Sequence, residues 1–312
     1  MNRLLNFNDN GWSNATDAKP RPKIDALLFR LGEPSMAEPL FVYSTGRGGP
    51  AVVLVHGMGA SGRFWRLVAE QLADEARIFC PDLLGFGRSP RPSAAYSVAD
   101  HVAALEACLD SLALGSEPVI LAGQSAGSVL ALAWAAARPE RFAGLGLLAL
   151  PAYSSVEDAR RHIGSISALA WATVVRPDLG ELIRGLMCVG RPLLQRLMPL
   201  LMRQFPADMA RDMVLHDWVS YRNTCNNVLV DHRCAPSAAQ VAKAKMPVQM
   251  LHGSKDKIAP LAHVQQLAGQ FGWPLTVLEG RGHRLLVEAP DASAGTTRTL
   301  LAGNVATTAS SC

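Results

Sequence analysis

Long uncharged apolar runs are missing from this chain of 312 residues. A membrane-crossing helix needs about 18 or more consecutive apolar residues, and even the Leu-rich stretch 182–205 is interrupted by Arg184, Arg191, Arg196 and Arg203. No membrane span is expected. Cysteine pairs are missing too: Cys80, Cys108, Cys188, Cys225, Cys234 and Cys312 form no Cys-x-x-Cys and no dense framework. That excludes a zinc ribbon or a disulfide scaffold and fits reduced thiols. Dense Lys/Arg tracts, the footprint of a nucleic-acid binder, are also absent; 30 basic and 26 acidic residues leave a net charge of +4. No nucleic-acid partner is expected. The N-terminus MNRLLNFNDNGWSNATDAKP has no apolar core behind Arg3, so it does not read as a secretory signal, and a cytoplasmic location is expected. No His-Glu-x-x-His occurs, and the pairs His216-Asp217 and Asp231-His232 lack a third group at ligand spacing. Neither a metal nor a cofactor is expected.

What is present is alternation. The chain is 49% hydrophobic, enough for a sizeable core in one large domain with an insertion, or in two domains. After a polar leader, residues 1–24, apolar runs predict strands at 41–45, 51–56, 76–82, 118–124, 142–150, 247–253 and 274–280. Helical patterns at 63–73, 98–113, 126–138 and 261–271 lie between them. Runs such as AVVLV, PVILA and GLGLLAL suit strands covered on both faces. The expectation is an α/β fold with a mostly parallel central sheet flanked by helices. Its core comprises residues 25–150 and 240–312, and a helical insertion, 151–239, interrupts it.

Residues 118–130 read PVILAGQSAGSVL, which places Ser125 between two glycines where a strand gives way to a helix. A serine hydroxyl attacks a carbonyl only when a base takes its proton and donors hold the developing oxyanion. A sharp strand-to-helix turn supplies room for both and aims the first helix amides at the reacting atom. A Gly-x-Ser-x-Gly in that setting is the nucleophile elbow, and Ala126 offers its backbone N–H. His283, in a glycine-flanked loop after one strand, and Asp256, three residues after another, fall on the same carboxyl edge of the sheet.

These marks, with VLVHGMG at 53–59, PDLLGFGRS at 81–89, GQSAG at 123–127, HGSKDKIAP at 252–260 and GRGHRLLVEAP at 280–290, resemble the α/β-hydrolase superfamily over residues 40–290. The resemblance implies the chain order Ser125, Asp256, His283 for nucleophile, acid and base. Asp231 and Glu279 are reserve acids. It also implies a second oxyanion donor in the backbone N–H of Met58, a loop-holding role for His56, and a helical cap in the insertion. Ser at the elbow, not Asp, argues against the haloalkane dehalogenase and epoxide hydrolase branches, which need a carboxylate nucleophile.

Four further segments carry expectations. In RPLLQRLMPLLMRQF, 191–205, Leu194, Leu197, Met198, Leu201, Met202 and Phe205 recur at helical spacing, which predicts an amphipathic cap helix kinked at Pro199. Gln124, Met198 and Met202 are the expected pocket-lining residues, because methionine adapts to bulky apolar ligands. The C-terminal run after His283, with two glycines and many threonines, predicts a short or weakly packed last helix. DLLGFGRS reads as a tight turn, and Asp100-His101 as a helix cap or surface pair. The preferred reading is a serine hydrolase that cleaves a carboxylic ester or lactone of a small apolar molecule through an acyl-enzyme. A C–C bond hydrolase of meta-cleavage type, a cofactor-free perhydrolase or haloperoxidase-like enzyme, and a non-catalytic binding protein are the alternatives. Oligomeric state is not readable.

Overall fold

The computed structural model describes residues 4–6, 13–14, 38–112, 114, 118–166 and 180–309. Among the described residues nine strands form one sheet: β1 (Leu4–Asn6), β2 (Ser13–Asn14), β3 (Val42–Thr45), β4 (Ala51–Val55), β5 (Arg77–Pro81), β6 (Val119–Gln124), β7 (Phe142–Leu148), β8 (Val248–Gly253) and β9 (Leu275–Leu278). Their spatial order is β2-β1-β3-β5-β4-β6-β7-β8-β9. The pairs β1/β2 and β3/β5 are antiparallel, and from β5 to β9 every neighbouring pair is parallel. The seven strands from β3 onward coincide with the predicted ones to within two residues at each end. β1 and β2, within residues 1–24, are too short to show periodicity and extend the sheet edge beside β3.

The central strands are buried on both faces. Val53, Val55 and Leu121 enter one apolar cluster, and Val52, Leu54, Ile120 and Ala122 the other. Period-two alternation sends neighbours to opposite faces, so an unbroken apolar run is what a strand between two helical layers requires. Helices α1 (Arg66–Leu72), α2 (Val98–Ser111) and α3 (Ala126–Ala137) follow β4, β5 and β6. Ser97 caps α2 in a reciprocal box with Asp100, whereas His101 is fully buried against Thr224 and not on the surface. The 82–89 segment is a turn wound around Asp82, whose carboxylate accepts from the Gly62 and Arg88 amides.

Between β7 and β8 the described chain is helical: α4 (Val156–Ile166), α5 (Gly180–Leu201), α6 (Ala207–Asp212), α7 (Trp218–Thr224), a π-helical turn Cys225–Val230 and α8 (Cys234–Lys243). α5 is one helix of 22 residues that includes Pro192 and Pro199. Its predicted apolar face is corrected. Leu197 and Leu201 point to solvent while Met198 is buried.

After β8 come α9 (Leu261–Phe271), the short α10 (Leu285–Glu288) and α11 (Pro290–Ala309). The last helix is neither short nor loose. Ala294, Leu300 and Leu301 are buried in the second apolar cluster, and Arg298 pairs with Glu75; packing outweighs the weak intrinsic propensity of its Gly and Thr residues. Cys80, Cys108, Cys225 and Cys234 are buried free thiols. No described helix is long and apolar enough to cross a membrane.

Candidate active site

Ser125 sits between β6 and α3 with φ 57° and ψ −125°, a backbone conformation that costs a non-glycine residue on the order of 1–3 kcal/mol and persists only where the surroundings impose it. Those surroundings are visible. The Ser125 amide donates 2.9 Å to the Leu148 carbonyl. A Cβ on Gly123 would lie 2.2 Å from the Gly127 carbonyl oxygen, and one on Gly127 would lie 2.2 Å from that of Val55. Glycine is therefore required at both positions for the chain to close the turn. Ser128, which sequence reasoning passed over, locks it: its hydroxyl lies 2.7 Å from the Gly123 carbonyl and 2.8 Å from that of Leu148, and accepts from the Leu148 amide at 3.1 Å. A lone hydroxyl in the apolar helix AGSVLALAWAAA is the signal that was available, since a buried polar group must find partners.

The structure brings Ser125, His283 and Asp256 together. The Ser125 hydroxyl lies 2.8 Å from His283 Nε2, and His283 Nδ1 lies 2.7 Å from Asp256 Oδ2. With Nδ1 protonated, the imidazole donates to the carboxylate and presents a lone pair to the serine. Asp256 Oδ1 accepts from the Ile258 and Ala259 amides at 2.8 and 2.9 Å. Burial pushes the Asp256 carboxyl up, but the hydrogen bond and charge of His283 together with these amides outweigh it and hold the carboxyl below its ordinary value. The reserve acids Asp231 and Glu279 are exposed, and neither bonds His283.

His56 holds the loop after β4. Its Nδ1 donates to the Gly57 carbonyl at 2.7 Å and its Nε2 accepts from the Leu83 amide at 2.9 Å. Burial drives its pKa down to about 4, only partly offset by the Gly57 bond, so the imidazole stays neutral and keeps that tautomer. The loop is pressed against the serine: a Cβ on Gly57 would stand 3.0 Å from Ser125 Cβ. Met58 follows on this loop, and Ala126 opens α3, where an N-terminal helix amide has no partner within its own helix.

A pocket opens over Ser125 and encloses about 520 Å³, counting the solvent at its mouth. Gln124, Met58 and His283 line it, as do Phe64, Leu286 and Val287. The helical insertion contributes Phe205 and Met213, not Met198 and Met202. The prediction fails there because α5 ends at Leu201 and turns, so that Phe205 packs against Phe64 at 5.6 Å between ring centroids. Met198 is buried within the protein, and Met202 accepts a contact from Gln204. Among the described residues, no group of three or more His, Cys, Asp or Glu is placed to hold a metal.

Comparison with known proteins sets this geometry in a family. Over 134 residues the chain is 36% identical to a haloalkane dehalogenase of Mesorhizobium japonicum, covering 43% of each chain. Over 110 residues it is 44% identical to lipase LipV of Mycobacterium tuberculosis, covering 35% of this chain and 41% of that one. The match thus spans about two-fifths of the length of both curated relatives. The crystal structure of the enol-lactonase from Burkholderia xenovorans LB400 superposes with a TM-score of 0.64 at 21% identity, covering 84% of this chain and 96% of that one, which establishes likeness of fold. A family model described as alpha/beta hydrolase fold matches residues 50–290. The chain belongs to the alpha/beta hydrolase family.

Proposed function

We propose that the protein is a serine hydrolase that cleaves a carboxylic ester or lactone of a small apolar molecule through an acyl-enzyme on Ser125. The observation that carries this reading is the unbroken relay from Ser125 Oγ through His283 to Asp256, with heavy-atom separations of 2.8 and 2.7 Å. In this reading Ser125 Oγ attacks the acyl carbon as its proton passes to His283 Nε2. The carbonyl oxygen becomes an oxyanion that the Met58 and Ala126 amides stabilise. Collapse of the tetrahedral species expels the alcohol, which takes the proton from His283. Water, deprotonated by the same nitrogen, then attacks the acyl-enzyme and releases the carboxylic acid, which restores Ser125. Asp256 fixes the imidazole tautomer and stabilises the imidazolium.

Dehalogenation fits the residues poorly despite the resemblance to a haloalkane dehalogenase. Attack by Ser125 on a carbon bearing halide would leave an ether, which has no carbonyl for water to attack, so the enzyme would not turn over. Acyl transfer regenerates the serine. The similarity to a lipase over the segment 44% identical supports the ester reading, and the apolar walls from Phe64, Phe205 and Met213 fit an apolar acyl or alkyl group. The insertion, as the source of two of those walls, serves as the cap.

Turnover of p-nitrophenyl acetate, butyrate and octanoate tests the proposal. Ester cleavage that falls by about 10⁴-fold or more in Ser125→Ala supports it, the scale expected when one member of a coupled triad is removed. Turnover unchanged by that substitution contradicts it.

A further inference from the structure

Over residues 189–201, helix α5 exposes a row of apolar side chains. Val189, Leu193, Leu197, Leu200 and Leu201 share one stripe of a 3.6-residue helix, and they are 86%, 60%, 39%, 62% and 66% exposed. Arg196 is the one charged residue on that stripe, and it too is exposed. The opposite side faces the protein: Met198 is buried, Gln195 is partly buried, and Arg191 donates 2.9 Å to the His216 carbonyl. A leucine left in water forgoes the free energy of burial, so this exposed row carries a driving force for association. The chain carries no Asp or Glu from residue 182 to residue 207. Arg196, Arg203 and Arg211 are exposed and make no ion pair among the described residues.

We infer that this stripe docks the protein on an anionic lipid surface. The leucines enter the boundary between headgroups and acyl chains, and Arg196 and Arg203 meet the headgroup phosphates. Apolar side chains beside uncompensated arginines are the composition of a helix that lies in a membrane interface and does not cross it. A second copy of this chain is a poorer occupant, since a stable protein interface takes roughly 20–30 residues from each side and five side chains on one convex helix offer far fewer. Four residues beyond α5 stands Phe205, a wall of the Ser125 pocket, so docking sets the lipid against the element that shapes the pocket. The binding itself is independent of the Ser125 chemistry.

Co-sedimentation of the full chain with sucrose-loaded vesicles tests this, comparing phosphatidylcholine alone with phosphatidylcholine containing phosphatidylglycerol. Binding is expected on the anionic vesicles, weakening as salt rises. It should fall at least about tenfold in Leu193→Glu and in Leu200→Glu, the loss that one buried leucine implies. Ser125→Ala should bind like the wild type. Should a glutamate variant aggregate on gel filtration, Leu193→Ser carries the same comparison. No sedimentation with either vesicle, or equal sedimentation of wild type and variants, overturns the inference. So does a dimer in sedimentation velocity that Leu193→Glu dissociates, which assigns the stripe to a second copy.

Discussion

The side-chain amide of Gln124 donates a 3.0 Å hydrogen bond to the backbone carbonyl of His283. Gln124 ends β6 and precedes Ser125, so one side chain ties the strand that carries the serine to the loop that carries the imidazole. The 2.8 Å separation between Ser125 and His283 rests partly on this tie.

Replacing Gln124 by leucine keeps the volume and removes the donor. One neutral hydrogen bond is worth about 1 kcal/mol, so kcat for p-nitrophenyl butyrate should fall about fivefold with KM little changed. A change confined to KM would make Gln124 a substrate contact and not a positioning residue.

Ser128→Ala tests the lock on the elbow. The Leu148 amide and the Gly123 carbonyl lose a buried partner, at a cost of roughly 1–3 kcal/mol. Urea unfolding should show a destabilisation of that size, and a change below about 0.5 kcal/mol would contradict the role given to this hydroxyl.

Phe205 and Met213 wall the pocket from the insertion. Trimming either to alanine lengthens the apolar space, so the ratio of octanoate to acetate turnover should rise. The same trimming at Met202, which lies outside the lining, should leave the ratio unchanged. A profile that responds to Met202 and not to Phe205 would contradict the placement of the pocket.

Burial holds the His101 imidazole down to about 4, with Asp100 pulling the other way. In the unfolded chain a histidine takes up a proton near pH 6.5. Between about pH 6.5 and 4 the unfolded state therefore binds the extra proton, and the stability His101 contributes above that window is lost as pH falls through it. His101→Gln retains a group able to meet the Thr224 hydroxyl but cannot titrate. The stability difference between pH 7 and pH 5 should shrink by about 2 kcal/mol in the variant. A pH dependence equal to that of the wild type would contradict the neutral, buried state of this ring.

Much of the fold was legible because the central strands and their helices obey simple periodicities. AVVLV and PVILA are apolar without a break, and they are the strands buried on both faces. Ser125, Asp256 and His283 were legible for a different reason: each lies within five residues of the carboxyl end of a strand, and the carboxyl edge of a parallel sheet gathers such loops. The insertion was not legible in the same way. Spacing gives the period of an apolar stripe and not the face of α5 that turns inward, and Leu197 and Leu201 came out exposed where an inward stripe was expected. The last helix was misjudged because the propensities of Gly295, Gly303 and the threonines are local, whereas the burial of Leu300 against Gly144 is not.

The proposed acyl transfer requires that His283 and Asp256 activate Ser125. Intact-mass analysis after treatment with a fluorophosphonate tests it most directly, because the probe phosphonylates a serine whose proton is taken by a neighbouring base. One adduct per chain is expected, mapped to Ser125, absent in Ser125→Ala and formed far more slowly in His283→Ala. A wild-type protein that stays unlabelled, or that labels at another residue, would contradict it.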